Sequence, residues 1–327
     1  ERGIEPMVTL WHFTNPTWFS KLGGFLNSRS STYFTRYARY VVDNLKNDIN
    51  LWITFNEGTT VYPGMAYLKG IWPPEYKNIF QAFKVRNNII KSHILAYQEI
   101  KKIYSLLEAE PSLEVQPQAG HNAPTLTSHN LRHNVAVGSV ENIKFIAISK
   151  ILRYLGVESF INHQLNFYFW SKTLPYQDFL GVNYYHVYRL PGSFSILPKQ
   201  EIMAEMTDWE IYPEGLYWSL LKLKKFKKPI FITENGIADK TDEKRTKFIK
   251  DHLYWLWKAI QAGVDARGYL YWSLLDNFEW AKGFEPKFGL VEVNYATFER
   301  RIRPSAYDFQ RICLTNSLEI DTRLVPK

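Results

Sequence analysis

Two glutamates, Glu57 and Glu234, end short apolar runs, and each lies next to an asparagine. The runs are Trp52 to Phe55 and Pro229 to Thr233, and they are rich in β-branched and aromatic residues. A continuous apolar run of this length is typical of a parallel strand that is buried on both faces. A glutamate inside such a strand would be costly to bury, but at its carboxyl end it can face a cleft. The two glutamates are therefore candidates for a working pair of carboxylates.

Strands and helices alternate along the chain, and these elements must position the two glutamates. The hydrophobic pattern predicts strands over residues 5–10, 50–57, 113–122, 178–185, 229–236 and 267–274. It predicts helices over 30–45, 79–107, 140–169 with a break near Gly156, 214–226, 242–261 and 305–313, and a short hairpin arm over 288–293. This alternation predicts an α/β fold with a parallel sheet and right-handed crossovers. We expect a single domain over residues 1–327, with 311–327 as a C-terminal tail.

Three helices have apolar residues at helical spacing, which predicts the face that each one presents. In helix 30–45 the residues on one side are Tyr33, Tyr37, Tyr40, Val41 and Leu45. In helix 79–107 they are Phe83, Ile90, Ile94, Tyr97 and Ile100. In helix 242–261 the pattern predicts Phe248, Trp255 and Ile260 to face inward.

Composition bounds the class of protein and its partners. The chain has 327 residues, of which 46% are hydrophobic, so it can bury a large core. The formal charge is +8, and the densest basic run is Lys222 to Lys228. We interpret that run as the solvated end of a helix, where cations suit the helix dipole. A nucleic-acid patch is the alternative, but no recognition motif accompanies it, so we expect no nucleic-acid partner.

Cysteine and histidine usage limits metal and disulfide chemistry. Cys313 is the only cysteine, which excludes an intramolecular disulfide and a cysteine-based metal site. The histidines form no pattern of metal ligands, so we expect neither a metal nor a cofactor. A single cysteine fits a reducing compartment, and we expect a cytoplasmic protein. No run of 18 apolar residues is present, so we expect no transmembrane helix and no membrane partner.

Several motifs occur in a specific order. They are PMVTLWHF (6–13), TFNE (54–57), GVNYY (181–185), WEIYPEGL (209–216), ITENG (232–236), WSLLDNFEW (272–280), FGLV (288–291) and RPS (303–305). Together they resemble family 1 of the glycoside hydrolases, the β-glucosidase and β-galactosidase group. The resemblance spans roughly residues 1 to 310. It implies a (β/α)8 TIM barrel, of which this chain represents only strands 3 to 8.

The resemblance also implies a retaining mechanism with Glu57 as acid/base and Glu234 as nucleophile. In that chemistry Glu234 attacks the anomeric carbon while Glu57 protonates the leaving oxygen and later activates water. By the same resemblance Tyr185 holds the Glu234 carboxylate, and Asn183 lies near the catalytic pair. The implied sugar-binding residues are His12, Asn56, Trp272, Glu279 and Trp280.

Glu279 bears on the class of substrate. Phospho-glycosidases that resemble this group place small and basic residues at that position to bind a phosphate. A carboxylate there would repel a phosphate, so we expect unphosphorylated β-glycosides as substrates. The expected activity is hydrolysis of terminal β-linked sugars. A catalytically weak carbohydrate-binding remnant and a transglycosidase are the alternatives.

The chain departs from the family pattern at three places, one of which is the atypical stretch from Glu108 to Asn134. By the resemblance the first two strands of the barrel are absent, and three explanations stay open: a missing N-terminal segment, a second chain or partner segment that completes the barrel, or a true incomplete barrel. Phe13 stands where the family usually has Trp after His12. The sequence does not determine the aglycone, the preferred sugar or the oligomeric state.

Overall fold

The computed structural model describes residues 3–109, 135–190, 197–203 and 205–319. The chain divides into two compact units. The first unit comprises Glu1–Val140 and Phe169–Leu180, and the second comprises Glu141–Tyr168 and Gly181–Lys327. Among the described residues, no helix has both the length and the apolar character needed to cross a bilayer.

The strands belong to three sheets. They are Met7–Thr9 (β1), Leu51–Asn56 (β2), Ala136–Asn142 (β3), Phe145–Ala147 (β4), Phe179–Asn183 (β5), Val187–Arg189 (β6), Ile202–Met203 (β7), Met206–Glu210 (β8), Ile230–Asn235 (β9), Ala266–Tyr271 (β10), Val291–Val293 (β11) and Arg300–Ile302 (β12). The largest sheet has the strand order β1-β2-β3-β5-β9-β10. Its β1–β2, β2–β3 and β9–β10 pairs are parallel, as the βα alternation predicts. The smaller sheets are β4-β6-β8-β7 and the antiparallel pair β11–β12.

The α-helices lie between these strands. They are Thr17–Lys21 (α1), Ser30–Leu45 (α2), Val61–Pro63 (α3), Ile79–Ala109 (α4), Lys150–Tyr154 (α5), Val157–Asn162 (α6), Tyr168–Thr173 (α7), Pro213–Leu223 (α8), Arg245–Gln261 (α9) and Pro304–Thr315 (α10). Single π-helical turns follow α3 at Gly64–Leu68 and α6 at His163–Phe167. Short 3₁₀ turns cover Gly24–Leu26, Leu174–Tyr176, Lys224–Phe226 and Trp280–Lys282.

The two strands that carry the candidate glutamates are core strands. In β2, Trp52 and Phe55 are completely buried, and the Trp52 indole donates a 3.0 Å hydrogen bond to the Tyr104 hydroxyl of α4. In β9, Ile230 and Ile232 are buried. Because both strands are covered by apolar neighbours, their continuous hydrophobic runs predicted them correctly.

The bounds of α2 are as predicted, but its predicted apolar side is wrong. The buried row is Phe34, Ala38 and Val42, whereas Tyr37 and Tyr40 are exposed. The buried row follows i, i+4 spacing, and α2 packs against α4. A small residue such as Ala38 allows two helices to approach closely, whereas the Tyr37 hydroxyl instead donates a 3.0 Å hydrogen bond to the Leu10 carbonyl.

The buried face of α4 also differs from the predicted one. Val85, Ile89, Ala96 and Ile100 are buried, whereas Phe83 is exposed. Of the residues predicted for this face, only Ile100 is fully buried. In α9 Phe248 is buried as predicted, but Ile260 is exposed.

Residues 140–169 are helical only in part, which corrects the prediction that this whole range is helical apart from a break near Gly156. The strands β3 and β4 occupy the region up to Ala147, and the predicted strand 113–122 lies outside the described residues. In β3 a glycine is needed at position 138, because a Cβ atom there would come within 2.7 Å of the Phe179 carbonyl oxygen. The predicted break near Gly156 is confirmed, since this residue has a φ of 77° and separates α5 from α6.

Candidate active site

Glu57 follows the last residue of β2, in the first unit. Its backbone N–H donates a 2.8 Å hydrogen bond to the Val140 carbonyl of β3, and its side chain is buried. Its φ of 49° is in the left-handed region, which a residue with a Cβ adopts at a cost of about 1 kcal/mol. Such backbone strain at the end of a core strand is common at functional sites, where the surrounding structure maintains it.

His12 and Asn56 lie side by side next to Glu57. Asn56 Nδ2 is 3.1 Å from His12 Nε2, and the Asn56 backbone N–H donates a 3.0 Å hydrogen bond to the Trp11 carbonyl. Burial lowers the pKa of His12 to about 4, so the imidazole is neutral at pH 7. A neutral imidazole offers one donor and one acceptor, which is suited to a hydroxyl-rich ligand.

Buried polar contacts of His93 connect β2 to α4. Thr54 Oγ1 lies 2.7 Å from His93 Nδ1, and His93 Nε2 lies 2.8 Å from the Tyr176 carbonyl oxygen. Because a carbonyl can only accept, His93 carries its proton on Nε2 and accepts from the Thr54 hydroxyl on Nδ1. Burial lowers the pKa of His93 to about 4. The neutral ring therefore links the helix α4 to the strand that leads into Glu57.

Glu234 lies within β9, in the second unit, and is buried. The Tyr185 hydroxyl donates a 2.6 Å hydrogen bond to Glu234 Oε2. The Glu234 carbonyl accepts a 2.9 Å hydrogen bond from the Tyr184 backbone N–H. A short hydrogen bond from a neutral donor to a carboxylate fixes its orientation and favours its charged form.

The asparagines of this unit connect neighbouring strands. Asn183 Oδ1 accepts a 2.7 Å hydrogen bond from the Thr233 hydroxyl. Asn235 Nδ2 donates a 2.6 Å hydrogen bond to the Tyr184 carbonyl, and Asn235 Oδ1 accepts a 2.7 Å hydrogen bond from the Tyr269 hydroxyl. These bonds hold β5, β9 and β10 in register around Glu234.

Trp272 follows β10, and its backbone N–H donates a 3.0 Å hydrogen bond to the Asn235 carbonyl. Gly236 allows this approach, because a Cβ atom there would lie 1.8 Å from the Trp272 carbonyl oxygen. Glu279 and Trp280 lie on the loop that follows, and both are half-buried. The Glu279 backbone N–H donates a 2.7 Å hydrogen bond to the Gly283 carbonyl, which closes the turn.

The structure thus places the predicted residues in two groups. In the first unit, Asn56 ends β2, Glu57 follows it, and His12 follows the adjacent parallel strand β1. In the second, Glu234 and Tyr185 are in direct contact, and the other predicted residues, Asn183, Trp272, Glu279 and Trp280, belong to the neighbouring strand ends and loop. Over the described ranges, no group of three or more His, Cys, Asp or Glu side chains is arranged to hold a metal ion.

Residues 1–318 match the family model described as glycosyl hydrolase family 1. The chain belongs to glycosyl hydrolase family 1. It is therefore a glycoside hydrolase of the β-glycosidase group, with the α/β (β/α)8 fold class of its relatives.

Individual relatives agree with this membership. The chain is 30% identical to β-glucosidase A of Thermotoga maritima over 98% of its own length and 75% of that protein. It superimposes on the solved β-glycosidase from Pyrococcus horikoshii with a TM-score of 0.81 and 36% identity, covering 100% of this chain and 76% of that one. It is also 28% identical to a 6-phospho-β-galactosidase of Leptotrichia buccalis, over 97% of this chain and 78% of that protein. Family 1 membership alone therefore leaves the phosphorylation of the sugar open.

Two features near the family 1 motifs were not singled out from the sequence. Arg303 and Asp276 form a buried, bidentate ion pair with both N···O distances at 3.0 Å, and this pair anchors the loop after β10. Trp209 packs against Tyr185, with ring centroids 5.1 Å apart, and stacks on His186. Both Arg303 and Trp209 fall within quoted motifs, but only the structure gives their partners.

Proposed function

We propose that this family 1 hydrolase is a retaining β-glycosidase for unphosphorylated, terminal β-linked sugars. In this proposal Glu234 is the nucleophile and Glu57 is the acid/base. The contact between the Tyr185 hydroxyl and Glu234 Oε2, at 2.6 Å, is the observation that carries it. A buried carboxylate that is oriented by a phenol has the fixed position and charged form that a nucleophile requires.

Two displacements account for the chemistry. In the first, a Glu234 oxygen bonds to the anomeric carbon, the bond to the aglycone oxygen breaks, and the Glu57 carboxyl proton moves to that oxygen. In the second, the Glu57 carboxylate takes a proton from water, the water oxygen bonds to the anomeric carbon, and Glu234 is released. Two inversions at one carbon retain its configuration.

The sugar-binding roles rest on the polarity of the side chains at these strand ends. We assign His12 and Asn56 to the hydroxyl groups of the sugar, because the two already share a hydrogen-bond contact and the imidazole is neutral. We assign Glu279 and Trp280 to the hydroxyl groups furthest from the bond that is cut, and Trp272 to the face of the ring. A carboxylate at position 279 would repel a phosphate, which favours unphosphorylated sugars. Asn183 supports Glu234 through Thr233.

We further propose that the parallel strands of the largest sheet correspond to strands 3 to 8 of the family barrel. Their order along the chain and in the sheet is the same, which is the order of a barrel built from successive βα units. In this proposal the chain forms one catalytic domain and uses no cofactor.

Trapping of the covalent intermediate tests the proposal. A 2-deoxy-2-fluoro β-glucoside with a good leaving group should form a stable ester, because the fluorine slows both displacements. We expect the added mass on the peptide that contains Glu234, and proton NMR of the first product should show the β-anomer. Glu234→Gln should abolish labelling and turnover, and Glu214→Gln, in α8, is the matched control.

Four outcomes would each contradict a part of the proposal. Label on another residue would exclude Glu234 as the nucleophile, and an α-anomeric first product would exclude retention. Sugar binding without turnover would favour the carbohydrate-binding remnant. A product distribution dominated by transfer to a second sugar, rather than to water, would instead favour a transglycosidase that uses the same residues.

A further inference from the structure

The helices α5 and α6 expose an unusual amount of apolar surface. Tyr154 is 92% exposed, Ile151 72%, and Leu155 and Phe160 66% each. Single exposed apolar residues are common, but four large ones within ten consecutive positions are typical of an interaction surface. Both helices are short and project their side chains at the surface of the second unit.

The lysine run of the sequence lies beside this apolar surface. Lys222 Nζ at the end of α8 is 2.8 Å from Glu158 Oε1 of α6, and Arg153 Nε is 2.6 Å from the other oxygen of the same carboxylate. Lys225 Nζ lies 3.8 Å from the ring centre of Phe167, in the turn that follows α6. The basic run therefore contacts α6 and the turn that follows it.

An aromatic row extends from α8 onto α9. Trp218 contacts Tyr217 at 4.9 Å between ring centroids, and Tyr217 contacts Trp255 at 5.7 Å. Tyr254 continues the row, 5.4 Å from Trp255 and 6.1 Å from Trp257. Trp218 and Trp257 are exposed. Tryptophan and tyrosine are the residues that collect at the boundary between lipid and water, where one end of the ring is apolar and the other is wet.

The charge of this surface is strongly positive. Residues 149–162 and 213–228 contain seven Lys or Arg residues and two Glu residues. Both glutamates are engaged, Glu158 by the two cations above and Glu214 by the Trp218 indole at 2.9 Å. Lys150 and Lys227 are exposed, so these two lysines direct positive charge towards solvent.

We propose that this face, formed by α5, α6, the lysine run and the aromatic row of α8 and α9, binds the surface of an anionic lipid bilayer. Ile151, Tyr154, Leu155 and Phe160 enter the headgroup region, the aromatic row lies at its boundary, and the lysines contact lipid phosphates. Amphipathic surfaces with apolar anchors and flanking cations bind membranes in this way without spanning them. The proposal revises the expectation of no membrane partner, which considered only spanning helices.

Two other partners fit the face less well. A two-fold dimer through this face would bring the same basic patch of each copy together, and like charges would oppose its formation. A nucleic acid would satisfy the lysines but would offer no apolar environment for Ile151 and Leu155.

Co-sedimentation with lipid vesicles tests the proposal. We expect the protein to bind vesicles of phosphatidylcholine with phosphatidylglycerol, to bind vesicles of phosphatidylcholine alone much more weakly, and to be released by high salt. Leu155→Ser should weaken binding about tenfold, the scale expected for one buried aliphatic side chain. Lys150→Gln and Lys227→Gln should each weaken it about fivefold. Tyr154→Ser should also weaken binding, and Tyr40→Ser is its matched control. Tyr40 is also exposed but lies on α2, outside the proposed face, so its replacement should leave binding unchanged.

The outcomes separate this proposal from the catalytic one. Hydrolysis of a nitrophenyl β-glucoside in solution should be unchanged in every variant, which also shows that each is folded. Equal binding to both kinds of vesicle, no binding, or an equal effect of Tyr40→Ser would overturn the membrane assignment. A change from dimer to monomer in Leu155→Ser, measured by sedimentation velocity, would show that the face binds a second copy instead.

Discussion

Replacing Tyr185 by Phe would remove one hydroxyl group from Glu234 and leave the packing of the ring intact. The hydroxyl donates to Glu234 Oε2 at 2.6 Å, and the ring packs against Trp209 and Phe288. A hydrogen bond to a charged group contributes about 1.5–3 kcal/mol. If that energy positions the nucleophile, its loss should lower kcat about 10- to 150-fold.

The pH profile gives a second, independent measure of the same contact. Because the hydroxyl favours the charged form of the carboxylate, its removal should move the acidic limb of kcat/KM to higher pH. The assay is the hydrolysis of a nitrophenyl β-glucoside across pH, for the wild type and Tyr185→Phe.

Tyr269→Phe is the matched control for this measurement. It removes a hydroxyl that donates at 2.7 Å to Asn235, the neighbour of Glu234, and it should cost about 1 kcal/mol of stability without moving the acidic limb. If Tyr185→Phe has the kcat and the acidic limb of the wild type, Tyr185 does not position the nucleophile. An equal shift in Tyr269→Phe would assign the effect to the fold instead.

The other predictions concern the acid/base, the sugar and the buried histidines. Glu57→Ala should lower kcat/KM, which reports the first displacement, at least a hundredfold more for an alkyl β-glucoside than for a dinitrophenyl β-glucoside, because dinitrophenolate leaves without a proton; an equal loss of kcat/KM for both substrates would exclude Glu57 as the acid. Glu279→Gln should raise KM for an unphosphorylated β-glucoside about tenfold and weaken the discrimination against its 6-phosphate, and unchanged relative kcat/KM values would contradict the sugar assignment. The free energy of unfolding should fall as the pH drops from about 6.5 towards 4, because burial lowers the pKa of His12 and His93 to about 4 and only the unfolded chain takes up their protons in this range. Urea denaturation at pH 7 and pH 5 measures this fall, and it should be smaller in His93→Gln; an equal fall would show that His93 does not contribute.

The strands that carry the glutamates could be predicted because their signal is local. Each of β2 and β9 is a short apolar run rich in β-branched and aromatic residues, and this length and composition distinguish a buried strand from a buried helix. The predicted strand ends were within about two residues of the observed ones.

The strand β3 could not be predicted in the same way. Its sequence, AVGSVEN, contains Gly138 and Ser139, which weaken a strand signal. The structure places Ser139 against the side chain of Gln177, at 2.8 Å, and Gly138 against Phe179. These partners are about 40 residues away in the chain, so no local pattern reveals that a small or polar residue is needed there.

The residues of the site were predictable by type, whereas their partners were not. The resemblance to family 1 placed Tyr185 beside Glu234, and the contact is present. The ion pair between Arg303 and Asp276 joins the start of α10 to the loop after β10, and neither residue type nor spacing indicates it. Such pairs depend on how distant segments pack, which hydrophobic periodicity does not encode.

Asn56 and Asn235 are adjacent to the two glutamates in similar sequence runs, but their side chains have different environments. Asn56 precedes Glu57, whereas Asn235 follows Glu234, and successive residues of a strand point to opposite faces of the sheet. Asn56 meets a neutral imidazole at 3.1 Å and has the chemistry of a ligand-binding group. Asn235 is completely buried, and its amide is used by the Tyr184 carbonyl and the Tyr269 hydroxyl. Two runs that look alike in the sequence therefore place a similar carboxylate at each strand end, but they use the adjacent amide differently. We propose sugar recognition for the Asn56 side chain, whereas the Asn235 amide holds the strands of the second unit in register.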